Sequence, residues 1–215
     1  ENDEALVLHT SGTTSRPKIV PLTNRNIYSS SLNISKSLSL SEKDHCLNIM
    51  PLFHIHGLIA IIASSMKSGA SVCASSGFNA LKFLELAKSE KITWYSGVPT
   101  MHQTIMLRAE KNLELAKNLN LRLVRSSSAS LPPAVFEKLN KVFNCPVIEA
   151  YGMTEATHQM TSNPLPPKKQ KAGFVGIPAG PEVAIMNDNS QIMKNGEIGE
   201  ICIKGNNVTS GYENN

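Results

Sequence analysis

Thr10-Ser11-Gly12-Thr13-Thr14-Ser15-Arg16-Pro17-Lys18 is the stretch on which the reading of this chain turns. It lies between two short apolar runs, Ala5-Leu6-Val7-Leu8 and Ile19-Val20-Pro21-Leu22, so the segment reads strand, polar loop, strand. The loop carries five hydroxyl side chains, one Gly, one Arg and one Lys. Hydroxyls and free N–H groups donate to phosphate oxygens. A glycine lets the backbone come close enough for successive N–H groups to form an anion-binding concavity. Lys18 and Arg16 add positive charge, and Pro17 stiffens the exit. The loop differs from the phosphate loop in which Gly-Lys-Ser/Thr opens a helix, because Lys18 follows a proline and leads into another apolar run. The plainer alternative is a polar surface loop, the usual home of Ser/Thr/Gly clusters.

Outward from this loop, strands and helices alternate. Asn24 or Thr23 caps a helix running to about Leu38, and Cys46–Met50 reads as a strand closed by Pro51. Leu58 to Met66 is apolar nearly all round and reads as a buried helix. Ala70–Cys73 and Ile92–Tyr95 read as strands, with an Asn79-capped helix to about Ser89 between them. Helices follow from Pro99 to about Lys111 and from Pro133 to about Phe143, and strands at Leu121–Arg125 and Cys145–Tyr151. This order predicts an α/β fold with a mainly parallel sheet flanked by helices. From Asn163 the texture changes to Pro-rich loop and short strands near Glu182–Met186, Gln191–Met193 and Glu200–Lys204, an antiparallel β segment suited to part of a barrel. The expected division is an α/β part, 1–162, and a β-rich continuation, 163–215.

At 215 residues and 41% hydrophobic content the chain can bury a sizeable core. A formal net charge of +4 with scattered basic residues argues against nucleic-acid binding; Lys168-Lys169-Gln170-Lys171 reads as solvated surface. Cys46, Cys73, Cys145 and Cys202 are far apart and mostly in apolar runs, which suits reduced thiols in a cytoplasmic setting, with peroxisomal association a further option. No apolar run reaches membrane-spanning length. The abrupt start and end suggest a piece cut from a longer protein.

Three motifs fall at predicted strand ends, where open α/β sheets bind ligands. In Pro51-Leu52-Phe53-His54-Ile55-His56-Gly57, two loop histidines can face one cleft; capping or core histidines are the alternative, and no nearby carboxylate or Cys favours a metal pair. In Arg125-Ser126-Ser127-Ser128-Ala129-Ser130-Leu131-Pro132, small residues allow a flat ring to lie on the backbone, and Ser130 also suits a helix cap. In Glu149-Ala150-Tyr151-Gly152-Met153-Thr154-Glu155-Ala156-Thr157-His158, the acidic residue after a strand suits either a hard cation or a helix first turn.

Thr10–Lys18 and the Glu149–His158 motif resemble, in order, the nucleotide-binding signatures of the adenylate-forming superfamily, which includes acyl-CoA synthetases, aryl-CoA ligases, luciferases and peptide-synthetase adenylation domains. Ser15 and Ile19 stand where that superfamily usually has glycine. Ser15 within Leu8–Lys18, and the run Glu155–Pro166, make the oxalate–CoA ligases of plants and fungi the nearest resemblance. The resemblance implies an AMP-forming ligase that adenylates a small carboxylic acid with ATP and Mg²⁺ and passes it to CoA. It implies that Thr10, Ser11, Gly12, Thr13, Thr14 and Lys18 hold the leaving pyrophosphate. Ser128 and Ala129, with Glu149 and Ala150, would line the adenine site. Tyr151 would stack on adenine, Thr154 would bond the α-phosphate and Glu155 would hold Mg²⁺. His54 would line the acyl pocket, with His56 a second candidate, and His158, His54 and Ser128 would face a small dianion. Gly196–Gly205 and Val208–Tyr212 resemble the next signature. The ribose-binding Asp and the Lys of a small C-terminal domain would lie beyond the chain, so this piece alone is expected not to complete thioester formation. A luciferase, a peptide-synthetase domain, a fatty-acid or coumarate ligase, or a non-catalytic nucleotide-binding piece are the alternatives.

Overall fold

A computed structural model describes residues 1–10 and 17–213 of the chain. Ser11, Gly12, Thr13 and Thr14, the centre of the hydroxyl loop, lie outside the described residues. Their flanks are described: β1 (Glu4–Thr10) and β2 (Lys18–Thr23) form an antiparallel pair that sets Thr10 opposite Lys18. Thr23 ends β2 and caps α1 (Asn24–Ser37). Its hydroxyl accepts from the Asn26 N–H at 3.2 Å while the Asn26 side-chain oxygen accepts from the Thr23 N–H at 2.8 Å, a reciprocal capping box.

The main sheet is built from β3 (His45–Asn48), β4 (Ser71–Ala74), β5 (Trp94–Gly97), β6 (Leu123–Ser126), β7 (Val147–Met153), β8 (His158–Ser162) and β9 (Ile177–Pro178). Their order is β4-β3-β5-β6-β7-β8-β9. Pairing is parallel from β4 to β7 and antiparallel from β7 to β9. Successive side chains on a strand point to opposite faces. Cys46, Trp94, Leu123 and Ile148 accordingly join a core with Val20, Ile34 and Ile61, whereas Leu47, Tyr95, Val124 and Val147 join one with Phe83, Ile105 and Leu139. A parallel sheet covered on both faces needs this two-sided apolar sequence.

The connections position the site. β3 leaves through a π-helix, His56–Ala63, which packs into the first core, and α2 (Ser64–Lys67). The later helices, α3 (Phe83–Ser89), α4 (Pro99–Ala109), α5 (Leu113–Lys117) and α6 (Pro133–Phe143), pack into the second. Neighbouring strands β3 and β5 thus send their chains to opposite faces, which opens a crevice beyond their carboxyl ends.

Some local expectations change. The apolar run expected as an ordinary buried helix begins as the wider π form, starting at His56. Gly57 sits so close to the preceding loop that a Cβ would lie 2.4 Å from the Pro51 carbonyl oxygen. His158–Ser162 forms a strand that the sequence did not mark, because four of its five buried residues are polar. Beyond it, β10 (Glu182–Met186) and β11 (Glu200–Lys204) pair antiparallel, and the Gln191–Met193 run supplies an isolated bridge, Met186 to Ile192. Among the described residues no helix is long and apolar enough to cross a membrane.

One ion pair ties the rim of the sheet. The buried Asp44 carboxylate accepts from the Arg122 guanidinium (Nη2 at 3.0 Å), the Ser41 N–H (2.9 Å) and the Thr93 hydroxyl (3.1 Å). Burial by itself raises the Asp44 pKa, but these bonds and the Arg122 charge outweigh it and hold the carboxyl below its ordinary value. Removing the carboxylate with Asp44→Ala is expected to lower unfolding free energy at pH 7 by about 2–3 kcal/mol. Because the folded pKa is the lower one, that deficit is complete above the unfolded value of about 4 and shrinks as pH falls below it. Urea unfolding of both proteins at several pH values checks this.

The reversal from β7 to β8 rests on a close approach. A Cβ at Gly152 would sit 1.7 Å from the His158 carbonyl oxygen. Gly152→Ala is therefore expected to destabilise the fold by about 3 kcal/mol, read as a lowered Tm.

Candidate functional site

Four chain segments meet beyond the carboxyl ends of β3, β5, β6 and β7. The π-helix brings His56, β5 brings Ser96, β6 brings Arg125 with the Ser128 turn behind it, and β8 starts at His158. His56 Nε2 lies 2.6 Å from Ser96 Oγ, and its Nδ1 lies 3.0 Å from Ser128 Oγ. The His56 and His158 rings are 5.0 Å apart between centroids. Arg125 donates through Nη1 to Ser96 Oγ (3.4 Å) and through Nη2 to Gln159 Oε1 (3.1 Å) and His158 Nδ1 (3.5 Å). Arg125, His56, His158, Ser96 and Gln159 are buried, and Ser128 is exposed to the cleft.

This cluster is electrostatically unusual. No carboxylate forms an ion pair with Arg125 among the described residues. Burial pushes its guanidinium down to about 9, which leaves it charged at neutral pH. Burial first, then the Arg125 charge, holds His56 and His158 well below the ordinary histidine value, so both rings are neutral.

A second cavity, of about 270 Å³, opens beside the first wall. Ser128, Ala129, Glu149, Ala150, Tyr151 and Gly152 line it. Ser128 sits in the left-handed region (φ 72°), which turns its hydroxyl out of the strand. Ser127 Oγ donates to the Ala150 carbonyl at 2.9 Å and locks the β6 turn to β7. Glu149 Oε1 accepts from the Gly173 N–H at 2.8 Å, yet burial raises its pKa overall.

The third region joins the hairpin to the end of β7. Thr154–Ala156 is a 3₁₀ turn. Tyr212 donates its hydroxyl to Glu155 Oε1 at 2.7 Å, and Lys18 Nζ lies 4.4 Å from the Tyr212 ring centroid. The Thr209 N–H donates to the Glu155 carbonyl (2.8 Å), its hydroxyl donates to the Pro21 carbonyl (2.7 Å), and the Glu213 N–H donates to the Ile19 carbonyl (3.0 Å). The segment after β11 therefore staples the base of the hydroxyl hairpin to the Thr154–Glu155 turn. Asn207 holds the same turn from below, donating to the Ala156 carbonyl at 2.8 Å.

The sequence-marked residues fall into these three groups: Ser128, His56 and His158 at the first wall; Ser128, Ala129, Glu149, Ala150 and Tyr151 around the second cavity; Thr10, Lys18, Thr154 and Glu155 about the third region. His54 stands apart, exposed in the loop after β3, with its Nδ1 accepting from the His56 N–H at 3.1 Å. Sequence reading passed over Arg125, Ser96, Gln159 and Tyr212. Arg125 had a signal: an arginine in a run meant to be buried on both faces needs an anion. Arg122, three residues earlier, has Asp44; Arg125 has no such partner among the described residues.

Residues 1–213 match the family of AMP-binding enzymes. The oxalate–CoA ligase of Arabidopsis thaliana is 49% identical over 217 residues, covering 100% of this chain and 42% of that protein. The oxalate–CoA ligase of Saccharomyces cerevisiae is 48% identical over 214 residues, covering 100% and 39%. The chain thus spans less than half the length of these relatives. ATP-bound MatB from Rhodopseudomonas palustris has a TM-score of 0.89 at 30% identity over 98% of this chain and 41% of that one. On the match across residues 1–213, the chain belongs to the AMP-binding enzyme family.

Proposed function

We propose that this chain carries the nucleotide and acid sites of an AMP-forming acid–thiol ligase, and that its acid is small and dianionic, with oxalate the best fit. The convergence of His56, Ser128 and His158 beyond the strand ends carries this reading. A second carboxylate leaving water must be hydrogen-bonded or neutralised, whereas an aliphatic acyl chain needs neither. Similarity to two oxalate–CoA ligases supports the same acid.

In this reading the acid's carboxylate attacks the α-phosphorus of ATP and pyrophosphate leaves. The CoA thiol then attacks the acyl carbon and AMP leaves. Both steps place growing charge on phosphate or carbonyl oxygens, so fixed donors lower the barrier. Thr10, Lys18 and the loop between them hold the pyrophosphate. Thr154 bonds the α-phosphate, and Tyr151 stacks on adenine against the Ser128–Ala129 turn. Glu155 fits a hard cation: one carboxylate oxygen is held by Tyr212, and phosphate oxygens would complete the shell. Mg²⁺ bound there would neutralise phosphate charge as the leaving group departs. His54 supports the wall through the His56 backbone. A reducing, cytoplasmic setting suits the free thiols of Cys46 and Cys145.

Pyrophosphate release by the full-length protein, measured with oxalate, malonate, acetate, coumarate and a fatty acid, tests the assignment. Oxalate is expected to give the highest kcat/KM. His158→Ala is expected to lower kcat/KM for oxalate by about 10- to 100-fold, the worth of one charge-assisted hydrogen bond, and for acetate by much less. Equal loss for both acids rejects the dianion reading.

A further inference from the structure

We propose that His45, Cys73 and Glu90 form a binding site for Zn²⁺ or a similar borderline divalent ion, at the amino end of β3 and so at the opposite end of the strands from the cleft. The inference goes beyond the ligase reading and does not depend on it.

The parallel register that builds the cleft also builds this site. His45 opens β3 and pairs with Ser71 of β4, and Leu47 pairs with Cys73. Residues two apart on a strand share a face. His45, Leu47, Ser71 and Cys73 therefore project to the side of the core that holds Phe83 and Ala87 of α3. Glu90 caps the carboxyl end of that helix. A ring nitrogen of His45, the Cys73 Sγ and a Glu90 carboxylate oxygen lie within 4.8 Å of one another.

His45 is held ready for a metal. Its N–H donates to Thr93 Oγ1 at 2.9 Å and its carbonyl accepts from the Thr93 N–H at 2.8 Å, which fixes its backbone between two strands. In the ring, Nδ1 lies 2.8 Å from Ser71 Oγ. The Ser71 hydroxyl has its own acceptor in the Asp44 carbonyl at 3.4 Å, which leaves its oxygen to take the Nδ1 proton. Nε2 then carries a lone pair, and it is buried with no hydrogen-bond partner among the described residues. A buried acceptor without a donor is costly, and a metal ion supplies the missing partner. Metal-binding histidines use this arrangement, the second nitrogen donating to a neighbouring oxygen.

The other two ligands gain from a cation between them. Burial, then the charge of Glu90, pushes the Cys73 thiol above its ordinary value. A dication reverses that balance. It bonds the sulfur as thiolate, the thiol proton leaves to solvent, and Glu90 becomes a ligand. Glu90 is exposed, so its carboxylate has room to close on the ion, with water in the remaining position. Imidazole, thiolate and one carboxylate suit Zn²⁺; Mg²⁺ and Ca²⁺ take oxygen ligands. Drawn from β3, β4 and the end of α3, the ligands would make the ion a clip between β4, the end strand of the seven-stranded order, and the helix beside it.

The test uses the full-length protein, treated with chelator and free of substrates, with Co²⁺ as the optical probe. Co²⁺ is expected to give a thiolate-to-cobalt charge-transfer band that Zn²⁺ displaces, and Zn²⁺, unlike Mg²⁺, is expected to raise Tm. Cys73→Ser should abolish the band and weaken Zn²⁺ binding by about 100-fold or more, and Ser71→Ala should weaken it by about 10-fold. A native protein that shows no band overturns the proposal. So does a band that persists in Cys73→Ser, or Zn²⁺ affinity there equal to that of the native protein. If Cys73→Ser fails to fold, Glu90→Gln decides, because its position is exposed: Zn²⁺ affinity is expected to fall by about 10-fold, and an unchanged affinity overturns the proposal. Failure of the protein to release pyrophosphate with any acid would defeat the ligase reading and leave the metal result standing.

Discussion

Strands that run the same way end on the same edge. The parallel register of β3, β5, β6 and β7 brings their carboxyl ends level, and that register is fixed by side chains that alternate between two cores. A slip of one residue on any strand would exchange Trp94 with Tyr95, or Leu123 with Val124, between faces of different shape. His56, Ser96, Arg125 and the Ser128 turn meet because each hangs from a strand end whose height is set this way. The hydrogen bonds among them are a consequence of the sheet and not its cause.

The same constraint explains why Gly152 and the β7–β8 reversal matter. A sheet of parallel strands offers only backbone ends and turns at its carboxyl edge. By doubling back as β8, the chain returns His158 and Gln159 to that edge and places them opposite Arg125. The return is tight enough that only a glycine fits beneath the His158 carbonyl. The left-handed Thr157 (φ 49°) and His158 (φ 92°) turn the chain at that point, with Asn207 and Ser30 holding Thr157 from either side.

Much of this was legible from local chemistry. The Thr23 cap, the Pro133 helix start and the alternating strands declare themselves within a few residues, because caps, prolines and apolar periodicity act over one turn or one pleat. The candidate nucleotide residues were legible as motifs in strand-end loops. What was not legible was produced by distant partners. β8 reads as a polar tail because four of its five buried residues are polar, and the His158 and Gln159 side chains find their hydrogen-bond partners only on Arg125, Ser37 and Ala179 of distant segments. His54 and His56 look equivalent in sequence; the π-helix that begins at His56 decides which one turns inward. Tyr212 acquires its place only when the segment after β11 crosses back to the hairpin.

The two ends of the proposed cleft are built on different principles, and this bears on what each can do. The proposed acid end is the His56–Ser96–Arg125–His158 cluster, buried at the strand ends, where donors have little freedom and interact in a low effective dielectric. Such a wall discriminates by charge and hydrogen-bond direction, since a wrong partner leaves a buried group unpaired. The proposed phosphate end lies at the paired ends of β1 and β2, a 3₁₀ turn and one tyrosine, with Lys18, Thr154 and Glu155 only partly buried. On the proposed reading, groups there would be solvated before binding and would gain contacts one at a time as charge moves from one phosphate oxygen to another. Selectivity for the acid and tolerance for a moving, highly charged leaving group are conflicting demands on one surface. Separating them along the sheet edge, rigid wall at the strand ends and hydrated turn beyond, lets a single fold meet both.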